Sequence, residues 1–68
     1  MVVAVEIPEL AVVEFTREIE GHPAGAVGTV VSAHPDEDSY TVELVDAKGR
    51  TVDLVEARGD DLRVSWIS

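Results

Sequence analysis

The chain has 68 residues, of which 46% are hydrophobic, no cysteine and a formal net charge of -9 at pH 7. This length allows a single domain over residues 1–68, and the apolar content excludes the disordered class. Without cysteine there is no disulfide framework, and with only five basic residues we expect no direct binding of nucleic acid, which depends on Lys and Arg.

The N-terminal segment MVVAVEIPEL is apolar but has none of the features of a membrane or export segment. It lacks a basic start, contains Glu6 and Glu9, and its apolar run of about five residues is too short for either role. We therefore expect a cytoplasmic protein without membrane contact. An apolar segment left as a strand edge pairs readily with another chain, so residues 2–7 are the candidate contact of a homodimer.

Five segments have the composition of β-strands, because β-branched residues are concentrated in them and turn formers bound each one. They are AVVEFT (11–16), AVGTVVSAH (26–34), SYTVELV (39–45), RTVDLVEA (50–57) and RVSWI (63–67). We expect the scarce aromatic residues Phe15 and Tyr40 to lie in the core. Trp66, near the C-terminus, either covers the open end of the barrel or lies at an interface, where tryptophan is enriched. With so few aromatics, no groove for proline-rich peptides is expected.

Between the first two strands, GHPAGAVGTVV (21–31) raises the alternatives of a phosphate-binding loop or a corner of the sheet. A phosphate loop requires a helix after its glycines, whereas here Gly25 and Gly28 precede a β-branched run that favours a strand. We therefore interpret Gly25 as a turn, and Gly28 as a point of sharp bending or close backbone approach.

Alternation assigns faces to the third and fourth strands. Tyr40, Val42 and Leu44, and then Val52 and Leu54, are each separated by a polar residue, which predicts that they face the core. The second strand does not alternate cleanly, so the facing of its residues stays open, and a bend or bulge at its internal glycine would shift the register.

The connections are short. DAKG (46–49) predicts a hairpin turn with Asp46 bonding the backbone, and HPDEDS (34–39) predicts a second tight reversal. GDDL (59–62) predicts one 3₁₀ turn capped by Asp60. With a longer first connection (residues 17–25), these elements predict an all-β fold, a small five-stranded antiparallel SH3-like barrel with one 3₁₀ turn before the last strand. The chain is too short for the helix of an OB-fold.

Several spaced elements resemble the small bacterial family catalogued as domain of unknown function 4926, over about residues 8–66. They are an apolar first strand from Leu10, AGAVGTVV (24–31), YTVELVDAKG (40–49) and the closing LR (62–63). The resemblance implies an SH3-like barrel and supplies no activity. A weaker similarity to the KOW element of transcription and ribosomal proteins does not extend to the loops, which are acidic here rather than rich in Lys and Arg.

No combination of residues indicates catalysis or a cofactor. His22 and His34 with Asp36 and Asp38 match no metal-binding spacing, and no serine has a histidine partner that the sequence identifies. We therefore expect no enzyme activity, no metal and no cofactor.

The acidic residues are unevenly distributed. Residues 1–38 contain eight acids and one base, whereas residues 39–68 contain six acids and four bases. This predicts a non-enzymatic module that docks on a basic protein, for example in an antitoxin or immunity-like role. Its expected contacts, if the first connection and the second reversal share one end of the fold, are Glu14, Glu18, Glu20, Asp36, Glu37 and Asp38. The alternatives are a self-associating structural barrel and an acidic mimic of nucleic acid.

Overall fold

The computed structural model describes residues 6–67, which form five β-strands and two 3₁₀ turns. The strands are β1 (Val12–Phe15), β2 (Val27–His34), β3 (Ser39–Val45), β4 (Thr51–Ala57) and β5 (Leu62–Trp66). The first 3₁₀ turn, Pro35–Glu37, joins β2 to β3, and the second 3₁₀ turn, Gly59–Asp61, precedes β5. Residues 6–67 contain no α-helix. The predicted all-β class, the five strands and the 3₁₀ turn before the last strand are confirmed.

All five strands belong to one antiparallel sheet in the order β4-β3-β2-β1-β5. Residues of every strand meet in a single core, so the sheet must curl around it. The two edge strands, β4 and β5, form no ladder with each other in the described part of the chain. The fold is therefore a curled sheet that stays open between its edges, without a closed ring of hydrogen bonds.

The core is aliphatic with two aromatic rings. Phe15 and Tyr40 are each 2% exposed, which confirms the prediction that both are core residues. Ile7 is also buried, and its N–H lies 3.4 Å from the Tyr40 hydroxyl oxygen that accepts its hydrogen bond. The predicted dimer contact at residues 2–7 thus includes a residue of the protein's own core, and residues 2–5 lie outside the described part.

Three ladders contain a β-bulge, at which one strand has an extra residue. The extra residues are Val31 between β2 and β3, Val52 between β3 and β4, and Ser65 between β1 and β5. Val30 before the first of these bulges is fully buried, whereas Val31 is exposed. The bulge thus settles the facing of β2, which the sequence left open, and it occurs at Val31 and not at Gly28.

The predicted core face of β4 is wrong. Val52 and Leu54 are 59% and 56% exposed, while Val55 and Ala57 are buried. Val55 lies opposite the buried Val42, and Leu54 lies opposite Glu43 on the outer face. The side chains of β4 therefore alternate in the opposite sense to the one predicted from TVDL (51–54). The predicted core positions of β3 are confirmed.

Trp66 lies outside the core, so of its two predicted positions the one over an open end of the barrel is wrong, and the one at an interface stays a prediction. Its side chain is 59% exposed. The bulge at Ser65 places Val64 opposite the buried Val13 and Trp66 opposite Val12, so the two residues of β5 face opposite sides of the sheet. The Ser65 hydroxyl donates to the Val12 carbonyl oxygen over 3.2 Å and holds the bulge.

The glycines at the entry to β2 have the predicted structural roles. Gly25 has φ +91°, in the left-handed region that favours glycine, and its N–H donates to the Phe15 carbonyl oxygen over 2.8 Å. Gly28 is buried where β2 crosses β3, and a Cβ there would lie 2.6 Å from Val42 Cγ1. The glycines are followed by a strand and not by a helix.

Side chains of aspartate define the two turns that flank β4. Asp46 Oδ1 accepts hydrogen bonds from the backbone N–H groups of Lys48 and Arg50 at 2.9 and 3.0 Å, which confirms the predicted hairpin turn. At the second 3₁₀ turn, the capping carboxylate is Asp61, whose Oδ2 accepts from the Arg58 N–H at 3.0 Å. The prediction of Asp60 as the cap is wrong, because Asp61 is the residue whose side chain reaches back to this amide.

Candidate protein-binding surface

The two predicted acidic segments lie at opposite ends of β2, because the first connection leads into this strand and the first 3₁₀ turn follows it. Both nevertheless reach the second 3₁₀ turn. The Thr16 N–H donates to the Asp61 carbonyl oxygen over 2.8 Å, and the Gly59 N–H donates to Asp38 Oδ1 over 3.0 Å. The fold therefore brings the start of one acidic segment and the end of the other to a common neighbour.

Ion pairs reinforce these backbone contacts on both sides of the second 3₁₀ turn. Arg17 Nε lies 3.0 Å from Asp61 Oδ1, and Arg58 Nε lies 3.4 Å from Asp38 Oδ2. Asp38 itself has φ +51° at the end of the first 3₁₀ turn, and its N–H donates to the Pro35 carbonyl oxygen over 3.0 Å. Glu18, Asp36 and Glu37 are thus sequence neighbours of residues that are fixed to the second 3₁₀ turn.

The six predicted contact residues fall into two groups. Glu14 is bound by the Arg63 guanidinium, and Asp38 is occupied by Arg58 and by the Gly59 amide, so both are neutralised within the chain. The other four are exposed carboxylates that form no ion pair within residues 6–67: Glu18, Glu20, Asp36 and Glu37.

The structure adds Asp60 to the second group. Asp60 is exposed on the second 3₁₀ turn, and the Thr16 hydroxyl donates to its carbonyl oxygen over 2.8 Å. Asp60 and Thr16 belong to opposite halves of the sequence, and only folding brings them together. A hydrogen bond between residues 44 positions apart leaves no local signal, and for that reason sequence reasoning missed it.

All four arginines of the chain are bound to its own carboxylates. The pairs are Arg17 with Asp61, Arg50 with Asp46, Arg58 with Asp38, and Arg63 with Glu14. Exposed ion pairs of this kind add little stability, but they decide where charge remains. Since the four arginines are each matched by one of the 14 acidic residues, the net charge of -9 is the balance of the other ten acidic residues and Lys48.

Hydrogen bonds lower the pKa of three carboxylates, one of which is Asp46, the partner of Arg50. The pKa of Asp46 is lowered first by the Arg50 backbone N–H, and that of Glu56 first by the Thr41 hydroxyl. The pKa of Asp53 is lowered chiefly by its hydrogen bond with His22, whose Nε2 lies 2.9 Å from Asp53 Oδ2. These acids are engaged on the sheet and are less available to a partner.

The histidines do not converge on a metal or catalytic centre in the described residues. His34 Nε2 lies 3.1 Å from the Ser32 hydroxyl, away from the contact between His22 and Asp53. Within residues 6–67 no group of three or more His, Asp or Glu side chains is close enough to hold a metal ion.

An open cleft of about 480 Å³ is lined by Glu14, Phe15, Thr16, Ala24, Gly25 and Arg63. Its two charged side chains are bound to each other, and the other lining residues supply a hydroxyl, a phenyl ring and backbone. Neither histidine of the chain lines this cleft.

The described segments include no helix with the length and apolarity needed to cross a bilayer.

Together, the fold and the surface define a small acidic all-β protein in which two acidic segments are attached to the second 3₁₀ turn through Arg17 and Asp38. A family model described as Domain of unknown function (DUF4926) matches residues 9–64, and the chain belongs to this family. The predicted family membership is thereby confirmed, while the similarity to KOW elements stays a prediction. No curated protein and no solved structure matches the chain.

Proposed function

We propose that this protein is a non-enzymatic cytoplasmic module that binds a basic protein through an acidic face around the second 3₁₀ turn. The acidic face consists of Glu18, Glu20, Asp36, Glu37 and Asp60. The observation that carries the proposal is the pairing of all four arginines with carboxylates of the chain. Each is bound to a carboxylate outside this face, so none of the five carboxylates of the acidic face is neutralised by an arginine of the chain.

An excess of negative charge on an ordered surface suits rapid docking on a basic partner, and Arg17 and Arg58 beside the second 3₁₀ turn are each paired with a carboxylate. Such a surface steers a positively charged protein during diffusion and raises the association rate, an effect that salt screens. The acidic face is ordered because Arg17 and Asp38, which flank three of its residues, are tied to the second 3₁₀ turn. An antitoxin or immunity-like role, in which an acidic protein covers a basic one, is the concrete form we propose.

The first test is capture from a lysate of the source organism with the full chain as bait, at low and then at moderate salt. We expect one basic protein in stoichiometric amount, lost as the salt concentration rises. A captured DNA-binding protein that releases this chain when DNA is added would assign the role of a nucleic-acid mimic. Recovery of the bait alone at low salt would contradict the proposal.

Charge reversal then locates the contact. The double variant Glu18→Lys, Asp36→Lys should raise the dissociation constant of the captured partner by at least about tenfold, or about 1.4 kcal/mol. Its matched control is Glu6→Lys, Glu9→Lys, which changes net charge equally at two exposed acids before β1. An equal loss of affinity in the two variants would show that only the net charge matters. Unchanged affinity in both would show that the acidic face is not the contact.

A further inference from the structure

The open sheet has two edges, and they differ in charge and in protection. The edge strand β4 contains Asp53 and Glu56. Asp53 Oδ1 accepts a hydrogen bond from the Leu54 backbone N–H at 2.9 Å, and Asp53 Oδ2 contacts His22. A side chain that binds an amide of its own edge strand occupies a donor that another chain would need, which is a recognised way to discourage edge pairing.

The edge strand β5, with the sequence LRVSW, has no carboxylate. Its one charged residue, Arg63, is bound to Glu14 of β1. Within residues 6–67 the end of this edge is apolar and uncovered, since Trp66 and the following Ile67 are 59% and 58% exposed. In a chain of net charge -9, β5 is therefore the edge at which a second acidic copy meets the least repulsion.

The outward backbone groups of β5 follow from the hydrogen bonds on its inner side. The Asp61 carbonyl accepts from Thr16, and Arg63 lies opposite Glu14 in the ladder with β1. Because successive residues of an antiparallel strand direct their N–H and C=O groups to opposite sides, those of Val64 point away from β1. The Leu62 N–H is already donated to the Gly59 carbonyl oxygen, which leaves Val64 at the centre of the pairing edge.

We propose that two copies of this chain associate through their β5 edges, antiparallel about a two-fold axis at Val64. Each Val64 N–H then donates to the Val64 carbonyl oxygen of the other copy, and the two sheets become continuous. An antiparallel pair of identical strands is self-complementary, as a two-fold interface requires. The association also covers Trp66, and it goes beyond the proposed binding of a basic protein because it uses a different surface.

The decisive experiment compares one charge introduced at each edge. Trp66→Glu and Leu54→Glu each add a single negative charge at an outward, similarly exposed residue of an edge strand. In sedimentation equilibrium over a range of concentrations, the unmodified chain and L54E should be dimers. W66E should be a monomer, with the dimer dissociation constant raised by at least about tenfold.

A second readout and a second variant protect the test against misfolding. Trp66 is the single tryptophan, so its fluorescence emission should shift to shorter wavelength as the unmodified chain dimerises with rising concentration. Val64→Pro removes the central intermolecular donor at a position where an outward N–H lets an edge strand accept proline. This variant should keep the β-type circular dichroism spectrum and lose the dimer.

Three results would overturn the inference. In the first, the unmodified chain is a monomer at every concentration. In the second, W66E and V64P form dimers with undiminished affinity. In the third, only the deletion of residues 2–5 produces a monomer, which would assign the contact to the N-terminal segment. Salt separates this inference from the proposed function. Screening should strengthen association of two acidic copies and weaken binding of a basic partner, so either can fail without the other.

Discussion

Gly28 shows how one missing side chain lets two strands approach closely. Its place in β2 has ordinary φ, so glycine is required there for space and not for a left-handed backbone. A Cβ would lie 2.7 Å from the Glu43 carbonyl oxygen and 2.8 Å from Leu44 Cδ2, in addition to its contact with Val42. Backbone and packed core atoms surround the position, so no single flexible group can move to make room.

Gly28→Ala should therefore destabilise the fold by about 1–3 kcal/mol, the usual cost of overpacking a core. The measurement is urea unfolding followed by circular dichroism. The matched control is Gly59→Ala, where the closest atom is the Asp38 carboxylate oxygen at 2.8 Å, the end of a flexible side chain. A loss in G59A as large as that in G28A would contradict this account of Gly28.

Among the elements, the first connection is fastened at two points although it has almost no regular structure. Near its start, Arg17 binds the second 3₁₀ turn. Farther along, Ile19 and His22 exchange backbone hydrogen bonds of 2.9 Å, and the His22 ring reaches Asp53 on β4. Ile19 also packs against the core. The connection thus spans from the second 3₁₀ turn to the edge strand and is held there by a few specific contacts.

Removing the histidine ring should loosen this connection without unfolding the sheet. In His22→Ala, we expect faster hydrogen exchange, measured by NMR, at the backbone amides of position 19 and position 22. The control is His34→Ala, because His34 contacts Ser32 on its own strand and fastens no loop. Equal exchange in H22A and the unmodified chain would show that the contact between His22 and Asp53 does not hold the connection.

The same contact has a defined pH dependence. Because the folded-state pKa of Asp53 is lowered from its ordinary value of 3.8, chiefly by His22, the contact contributes stability that is present above that value. This contribution is lost as the pH falls through the lowered pKa. The exchange difference between the unmodified chain and H22A should therefore disappear at the acidic end of the titration.

At the scale of elements, the sequence predicts strands and turns better than the faces of the strands. The position of each turn follows from residues such as Asp46, Gly49 and Pro35, whose conformational preferences act locally. A bulge depends on the fit between two strands and has no comparable local signature. Consequently the polarity of β3, which alternates cleanly, was predictable, whereas the exposure of Val52 and Leu54 was not.

For the whole molecule, the balance of charge is the dominant property. The sequence predicts an acidic surface, and the acids with arginine partners could be identified only once the chain was folded, because three of the four pairs join distant segments. Of the six predicted contact residues, Glu14 and Asp38 are paired with arginines in the folded chain and are therefore not part of the proposed acidic face. Folding also brought Asp60 beside the first connection.

The net charge should make the stability of the isolated protein depend on salt. Repulsion among unpaired carboxylates opposes the compact state, and screening reduces it. The thermal unfolding midpoint should thus rise when NaCl is increased from about 10 mM to about 300 mM, over which the screening length falls severalfold. A control in Na₂SO₄ at equal ionic strength separates screening from ion-specific effects. A constant or falling midpoint in NaCl would contradict dominant repulsion.

The three bulges have a consequence for how the length of this fold can vary. Losing one residue from a regular strand reverses every later side chain between core and solvent. At Val31, Val52 or Ser65 the outcome differs, because the extra residue is the one without a partner in its ladder. Deleting it restores a regular ladder and leaves the flanking residues on the faces they already occupy. The bulges are therefore the positions inside strands where this chain can lose one residue and keep the same core.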